Sequence, residues 1–238
     1  MFSMTKIPLK NQLVQRCYSA FAAETIFDEE NIRKTVAKFA KLQSAKQHAN
    51  APTKNAAVLV PLCVVDGRVS LLYTLRAANL KSHRGQVSFP GGMEDSADKN
   101  PEQTALRETQ EELGIAQDRI EVWGKGNVIV SRGVASVLPV IGALKIRNIS
   151  RDLRVNPGEV KEVFTVPLEV LCDPSHIKHT QFRTNYSLPV FTGGKRRIWG
   201  LTAIITHLFL KALMPRNIYD HTVKFVPPLR SSLPYRLL

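Results

Sequence analysis

The sequence predicts an α/β chain of the α+β kind, a mixed β-sheet sandwiched between α-helices. Three observations point there. Val-rich apolar runs of strand length recur along the chain. They follow one another through turn signals and do not alternate with helices, as a doubly wound parallel sheet would require. Helical spacing is confined to a few segments, one near the start, one in the middle and one near the end.

Each element has a local reason. Over residues 24–44, Ile32, Val36, Phe39 and Leu42 recur at helical intervals. The polar, helix-breaking stretch SAKQHANAPTKN then reads as a linker. Residues 56–65 form an apolar strand, Asp66-Gly67 is a hairpin turn signal, and residues 69–76 return as the second strand. Residues 86–89 make a short strand stopped by Pro90. Pro101 opens a helix, since proline fits the first turn, and Gly114 closes it. Residues 120–131 and 137–146 are two further strands, and residues 157–171 hold a short strand and then a turn or helix. Residues 182–192 and 195–199 form a hairpin about Gly193-Gly194, and a last helix covers residues 201–213. Pro227-Pro228 and Pro234 mark an extended C-terminal arm.

Composition bounds the function. The chain has 238 residues, 44% hydrophobic and 22% charged, enough to bury a core. No apolar run approaches the roughly 18–20 residues that span a bilayer. Cys17, Cys63 and Cys172 lack metal or framework spacing, so a zinc site or disulfide scaffold is not expected, and Cys63 and Cys172 read as small core residues. His176, His179 and His207 show no metal spacing to one another and are assigned no role. The net charge is +13, which invites a nucleic-acid reading, but the basic residues are dispersed and no nucleic-acid motif appears. A polyanionic small molecule explains the charge equally well.

Part of the excess lies in residues 1–23, which contain Lys6, Lys10 and Arg16 and no acid before Glu24. That composition predicts a mitochondrial transit peptide, with cleavage after Tyr18. The expected divisions are the peptide at 1–23, a helix and linker at 24–55, a main domain at 56–214 and the arm at 215–238.

Against the basic background, RETQEELGI (residues 107–115) concentrates three glutamates, and residues 94–112 hold seven acids against two bases. On a helix, Glu108, Glu111 and Glu112 share an arc of about 100°. Like charges so placed cost a helix a few tenths of a kcal/mol per pair unless neutralised. Arg107 can pair with Glu111 four residues on, but one guanidinium does not balance three carboxylates. A hard divalent cation, Mg²⁺ or Mn²⁺, is the natural partner. Upstream, Phe89-Pro90-Gly91-Gly92 ends a strand with two glycines, as where backbone approaches a ligand closely.

The run Gly92-x5-Asp98-x8-Arg107-Glu108-Thr109-x-Glu111-Glu112-x-Gly114-Ile115 resembles the Nudix box, the loop-helix motif of hydrolases acting on nucleoside diphosphates linked to another moiety. Asp98 stands where glutamate is usual, one residue is inserted before Arg107, and Thr109 replaces an aliphatic residue. The preceding LYTLRAANLKSHRGQVSFPGG resembles the extra motif of the coenzyme A diphosphatase branch, through Thr74, Arg76, Gly85 and residues 89–92. NPGEVKEVFTVPL and IWGLTA extend the likeness over residues 56–213, and the transit-like start makes it most similar to a mitochondrial member of that branch.

The resemblance implies a Nudix fold and hydrolysis of coenzyme A or acyl-CoA to 3′,5′-ADP and (acyl-)4′-phosphopantetheine, in the mitochondrial matrix. It implies Glu108, Glu111 and Glu112 as Mg²⁺ or Mn²⁺ ligands, with Arg107 orienting them. The general base is then a box glutamate (Glu108 or Glu111) or one from a later loop, Glu159 with Glu162 behind it. Gly91 and Gly92 let the loop approach the substrate. Arg76, Lys81 and Arg84 are candidates for the extra phosphate or the adenosine half, though Arg84 alone reads more simply as a solvated charge. Two other classes stay open: a Nudix hydrolase of another nucleoside diphosphate derivative (an NADH-type dinucleotide or a damaged nucleotide), and a non-enzymatic nucleic-acid-binding protein in which the box is structural.

Overall fold

The fold is organised by a hairpin that opens partway along its length. In the computed structural model, which describes residues 19–42, 54–80, 83–131, 135–146, 148–181 and 187–222, Asp66 and Gly67 take φ of 49° and 73°. Two consecutive left-handed residues give the turn whose twist matches the flanking strands. They join β1 (Asn55–Val65) to β2 (Arg68–Arg76) in register Val65↔Arg68 to Leu62↔Leu71. Beyond Leu62 the two strands separate. β3 (Val87–Ser88) takes the free edge of β2 at Thr74 and Leu75, while β4 (Gly91–Met93) takes that of β1 at residues 56–58. Phe89-Pro90 bridges the opening, its Pro90 carbonyl accepting from the Leu59 amide at 2.9 Å.

On its other edge β1 runs parallel to β7 (Ala135–Leu144). β5 (Ile120–Lys125) and β6 (Ile129–Ser131) lie end to end along the far edge of β7, and β8 (Val160–Pro167) pairs with β2. The result is a mixed eight-stranded sheet, as expected, with β1–β7 its parallel pair. The expected single strand over 120–131 is broken. A register shift falls between Val122 and Gly124, and residues 126–128 leave the ladder before β6 resumes it. A Cβ at Gly126 would lie 2.5 Å from the Phe39 ring, so glycine is required where this segment meets the N-terminal helix.

Each sheet face carries its own apolar layer. On one, Leu59, Leu72, Val140 and Ala57 pack against Ala105 and Leu113 of α3 (Pro101–Leu113). On the other, Leu71, Tyr73, Leu75 and Ile141 pack with Phe39 of α2 (Glu29–Phe39) and with α6 (Gly200–Leu213), whose Ala203, Ile205 and Phe209 are buried. Tyr73 stacks on Phe89 and Phe164 and its hydroxyl meets Thr206 at 3.1 Å, so even this buried phenol has a polar partner. The expected first helix splits into α1 (Ala23–Ile26) and α2, because Asp28 accepts from the Glu30 and Asn31 amides and starts a new helix.

Short α4 (Ile149–Asp152) and α5 (Leu168–Cys172) complete the connections. Near the C-terminus the observed hairpin differs from the expected one. β9 (Ile177–Gln181) pairs with β10 (Ser187–Phe191), whereas residues 195–199 contribute only a bridge between Ile198 and Phe191. Mostly polar, IKHTQ lacks the apolar run that signals a strand. Cys63 and Cys172 are buried and burial pushes both thiols up to about 12, which fits small core residues. No helix among the described residues is long and apolar enough to cross a membrane. Cys17, Lys81, the cleavage site after Tyr18, most of the linker and the arm beyond residue 222 lie outside the described residues.

Candidate active site

The catalytic-type side chains gather where β1 and β2 part. α3 starts as the sequence indicates: the Asn100 side chain accepts from the Gln103 amide at 2.9 Å and Pro101 follows. It ends at Gly114 with φ 68°. Its carbonyls at Glu112 and Leu113 accept from the amides of Asn156 (2.9 Å) and Arg154 (2.7 Å). The later loop carrying Glu159 is therefore bonded directly to the end of the helix carrying Glu112. Asn156 continues the loop's order, accepting from the Gly158 amide at 3.0 Å and donating its side-chain amide to Glu159 Oε1 at 3.2 Å. Glu159 also takes the Ala77 amide on its carbonyl (2.8 Å), next to Arg76.

Glu108, Glu112 and Glu159 converge, each offering a carboxylate oxygen within 4.8 Å of the other two. Glu112 is only 1% exposed, and its Oε2 is buried with no hydrogen-bond partner among the described residues. Burial raises its carboxyl to about 8 against the opposing pull of Arg76, whose Nη1 stands 3.5 Å from Oε1. Burial likewise raises Glu108, with Arg107 opposing. A buried, unpartnered carboxylate oxygen facing two other carboxylates is costly as it stands. The all-oxygen donor set fits a hard divalent cation, which Glu108 and Glu112 would hold with the Glu159 carboxylate facing it.

Glu111 stands apart from this trio. Its half-exposed carboxylate takes Arg107 Nη1 at 3.1 Å. Arg107 also reaches Glu108 Oε1 at 3.1 Å and the Met93 carbonyl at 3.1 Å, and it makes a two-point contact with Asp98: Nε to Oδ1 at 3.0 Å and Nη2 to Oδ2 at 2.9 Å. Asp98, its side chain 2% exposed, further accepts from the Asp95 amide (3.0 Å) and the Thr104 hydroxyl (2.9 Å). The Arg107 guanidinium holds the Asp98 carboxyl well below the usual carboxylate range, and Asp98 in turn raises Arg107. Asp98 thus anchors the arginine that orients Glu108, a role the sequence did not signal because the aspartate lies nine positions upstream. Thr109, buried in place of an aliphatic residue, satisfies its hydroxyl on the Ala105 carbonyl at 2.7 Å.

The glycines have distinct surroundings. A Cβ on Gly92 would fall 2.5 Å from both carboxylate oxygens of Glu108. Gly91 has φ 147°, and a Cβ there would press 2.6 Å from the Val58 Cα of the paired strand. Gly91 therefore seats β4 on β1, and Gly92 makes room for Glu108. Arg76 faces Glu112, while Arg84 is exposed. Glu162 lies away from the trio, paired with Lys195 Nζ at 2.5 Å and Arg196 Nη2 at 2.8 Å.

The Glu112 environment predicts a pH effect on the cation-free protein. With its carboxyl at 4.5 when unfolded and about 8 when folded, the folded state binds more protons between those values. Stability should therefore fall as pH rises through that window, by something on the order of a few kcal/mol. Thermal unfolding in the presence of chelator checks this, and Glu112→Gln should flatten the decline.

The NUDIX domain family matches residues 53–186. A human protein named mitochondrial coenzyme A diphosphatase NUDT8 is 44% identical over 179 residues, covering 73% of this chain and 75% of its own. The mouse protein of that name is 46% identical over 165 residues, 67% of this chain and 78% of its own. Nudix hydrolase 15, mitochondrial, of Arabidopsis thaliana is 34% identical over 188 residues, 74% of this chain and 66% of its own. With the glycine loop, the Arg107-anchored helix and the carboxylate trio in place, these matches identify the chain as a member of the Nudix family.

Proposed function

We propose that this chain hydrolyses the diphosphate bond of coenzyme A and acyl-CoA, giving 3′,5′-ADP and 4′-phosphopantetheine or its acyl derivative. The observation that carries the reading is 44–46% identity to two coenzyme A diphosphatases, spread over most of this chain and three quarters of theirs. The carboxylate trio supplies chemistry of the right kind at the opened hairpin.

Water adds to one phosphorus as the bridging P–O bond breaks, and the bridging oxygen leaves with its electron pair on the departing phosphate. Mg²⁺ or Mn²⁺, when bound, would offset the negative charge that builds on the diphosphate. Glu108 and Glu112 would hold that cation, with Glu111 outside on Arg107. Arg107, fixed by Asp98, keeps Glu108 turned toward Gly92. Glu159, steadied by Asn156, takes the proton of the attacking water. Such reactions demand positioning and electrostatics more than covalent chemistry. Kinetics on a panel of diphosphates tests the substrate assignment: kcat/KM should be highest for coenzyme A or an acyl-CoA, and a higher value for an NADH-type dinucleotide or a damaged nucleotide would displace it.

The proton role has its own check. Glu159→Gln should lower kcat about 10²-fold or more, the usual scale for losing a general base, while Mn²⁺ affinity stays within a few-fold. Cation affinity that falls in step with kcat would make Glu159 a ligand and not the base.

The same reading assigns residues 56–214 to the Nudix hydrolase domain and 215–238 to an arm. It places the mature protein in the mitochondrial matrix after loss of a transit peptide within residues 1–23, supported by their basic, acid-free composition and by the names of the relatives. N-terminal sequencing of protein recovered from the organelle should find a chain starting near Ser19. A chain starting at Met1 would overturn it.

A further inference from the structure

Arg107 is held by Asp98, Glu108 and Glu111, and Arg76 faces the Glu112 carboxylate, so neither is free to serve the substrate's remaining phosphate and base. Another surface is. Ile198 is fully buried and bridges to Phe191, so its neighbours in this extended stretch project the other way. Those neighbours are Arg197, exposed and without a hydrogen bond or ion pair among the described residues, and Trp199, 46% exposed with φ −146° and ψ 176°. Two positions apart on an extended segment, they stand side by side about 7 Å apart. Lys195 and Arg196 add two cations against the single carboxylate of Glu162. An aromatic face beside an unpaired guanidinium suits a base and a phosphate together.

The position fits as well. Lys195 and Arg196 grip Glu162, which pairs across β8 with Leu75 of β2. The Thr202 hydroxyl donates at 2.9 Å to the carbonyl of Val87, which pairs with Leu75 from the other side. The segment from Lys195 to Thr202 therefore crosses β2 at Leu75, on the sheet face opposite α3, one residue before Arg76, which turns to the α3 face and Glu112. It reaches, from the other face of the sheet, the strand end beside which the diphosphate would be cleaved.

We propose that Trp199 and Arg197 form the subsite for the phosphorylated nucleoside half of the substrate, the base stacked on the indole and the nucleoside's extra phosphate on the guanidinium. This rests on the coenzyme A reading for its ligand but is tested without turnover. The probe is equilibrium binding of 3′,5′-ADP and of 5′-AMP to the cation-free full-length chain. Wild type should bind 3′,5′-ADP about tenfold or more tightly than 5′-AMP. Arg197→Gln should bring the two nucleotides to equal affinity. Trp199→Ala should weaken both by a similar factor, about tenfold, with Trp199→Phe recovering most of it. Both side chains are exposed, so the melting temperature of each variant should match wild type. Wild type that binds neither nucleotide, or variants that bind both as wild type does, would overturn the subsite and leave this face to another partner. A protein that binds 3′,5′-ADP through these residues yet leaves coenzyme A uncleaved would instead sink the functional reading and keep the subsite.

Discussion

Glu112→Gln should reduce cation-dependent turnover by about 10²-fold or more while the protein stays folded. The change removes one charge from the centre of the trio and keeps its shape. Deleting a single preorganised electrostatic group at other catalytic centres costs on this scale. Stability moves the other way. Burial already disfavours the ionised form of Glu112 despite the nearby Arg76, so a neutral amide is the less costly occupant near pH 8. Steady-state kinetics and thermal unfolding at that pH give both numbers. A variant with near-normal activity would remove Glu112 from the cation site, whatever its stability.

Gly92→Ala should be comparably damaging for a steric reason. Its methyl group would occupy space 2.5 Å from both Glu108 carboxylate oxygens, where real side chains do not approach. Glu108 would have to swing away, breaking its contact with Arg107 and leaving Glu112 and Glu159 without their third member. A displacement of about 1 Å in a catalytic group can cost on the order of 10²-fold in rate. The loss should appear in kcat and in Mn²⁺ affinity together, with the fold intact by circular dichroism. Activity within a few-fold of wild type would mean that Glu108 tolerates displacement and is not held for catalysis.

Local signals in the sequence led reliably to local structure. Asp66-Gly67 made the hairpin turn, and Pro101 and Gly114 bounded the helix, because each depends only on neighbouring backbone. The helical phase of Glu108, Glu111 and Glu112 gave their common face but not their depth. Glu112 is buried and Glu111 half exposed, a difference set by the loop packed against the helix end and by Arg107. Glu159 was a candidate from the sequence, yet its meeting with Glu108 and Glu112 depends on backbone bonds from Asn156 and Arg154 to the end of α3. Asp98 was visible only as a departure from a motif. Its hold on Arg107 emerges once the loop at residues 94–100 folds back over the helix. The polar strand β9 carried no apolar pattern at all, and only its pairing with β10 reveals it.

The most direct test is to incubate the purified full-length chain with coenzyme A, with and without Mg²⁺ or Mn²⁺, and resolve the products chromatographically. The predicted result is equal amounts of 3′,5′-ADP and 4′-phosphopantetheine, formed only when the cation is present. Intact coenzyme A in the presence of either cation, or the same products at the same rate in chelator, would contradict the account.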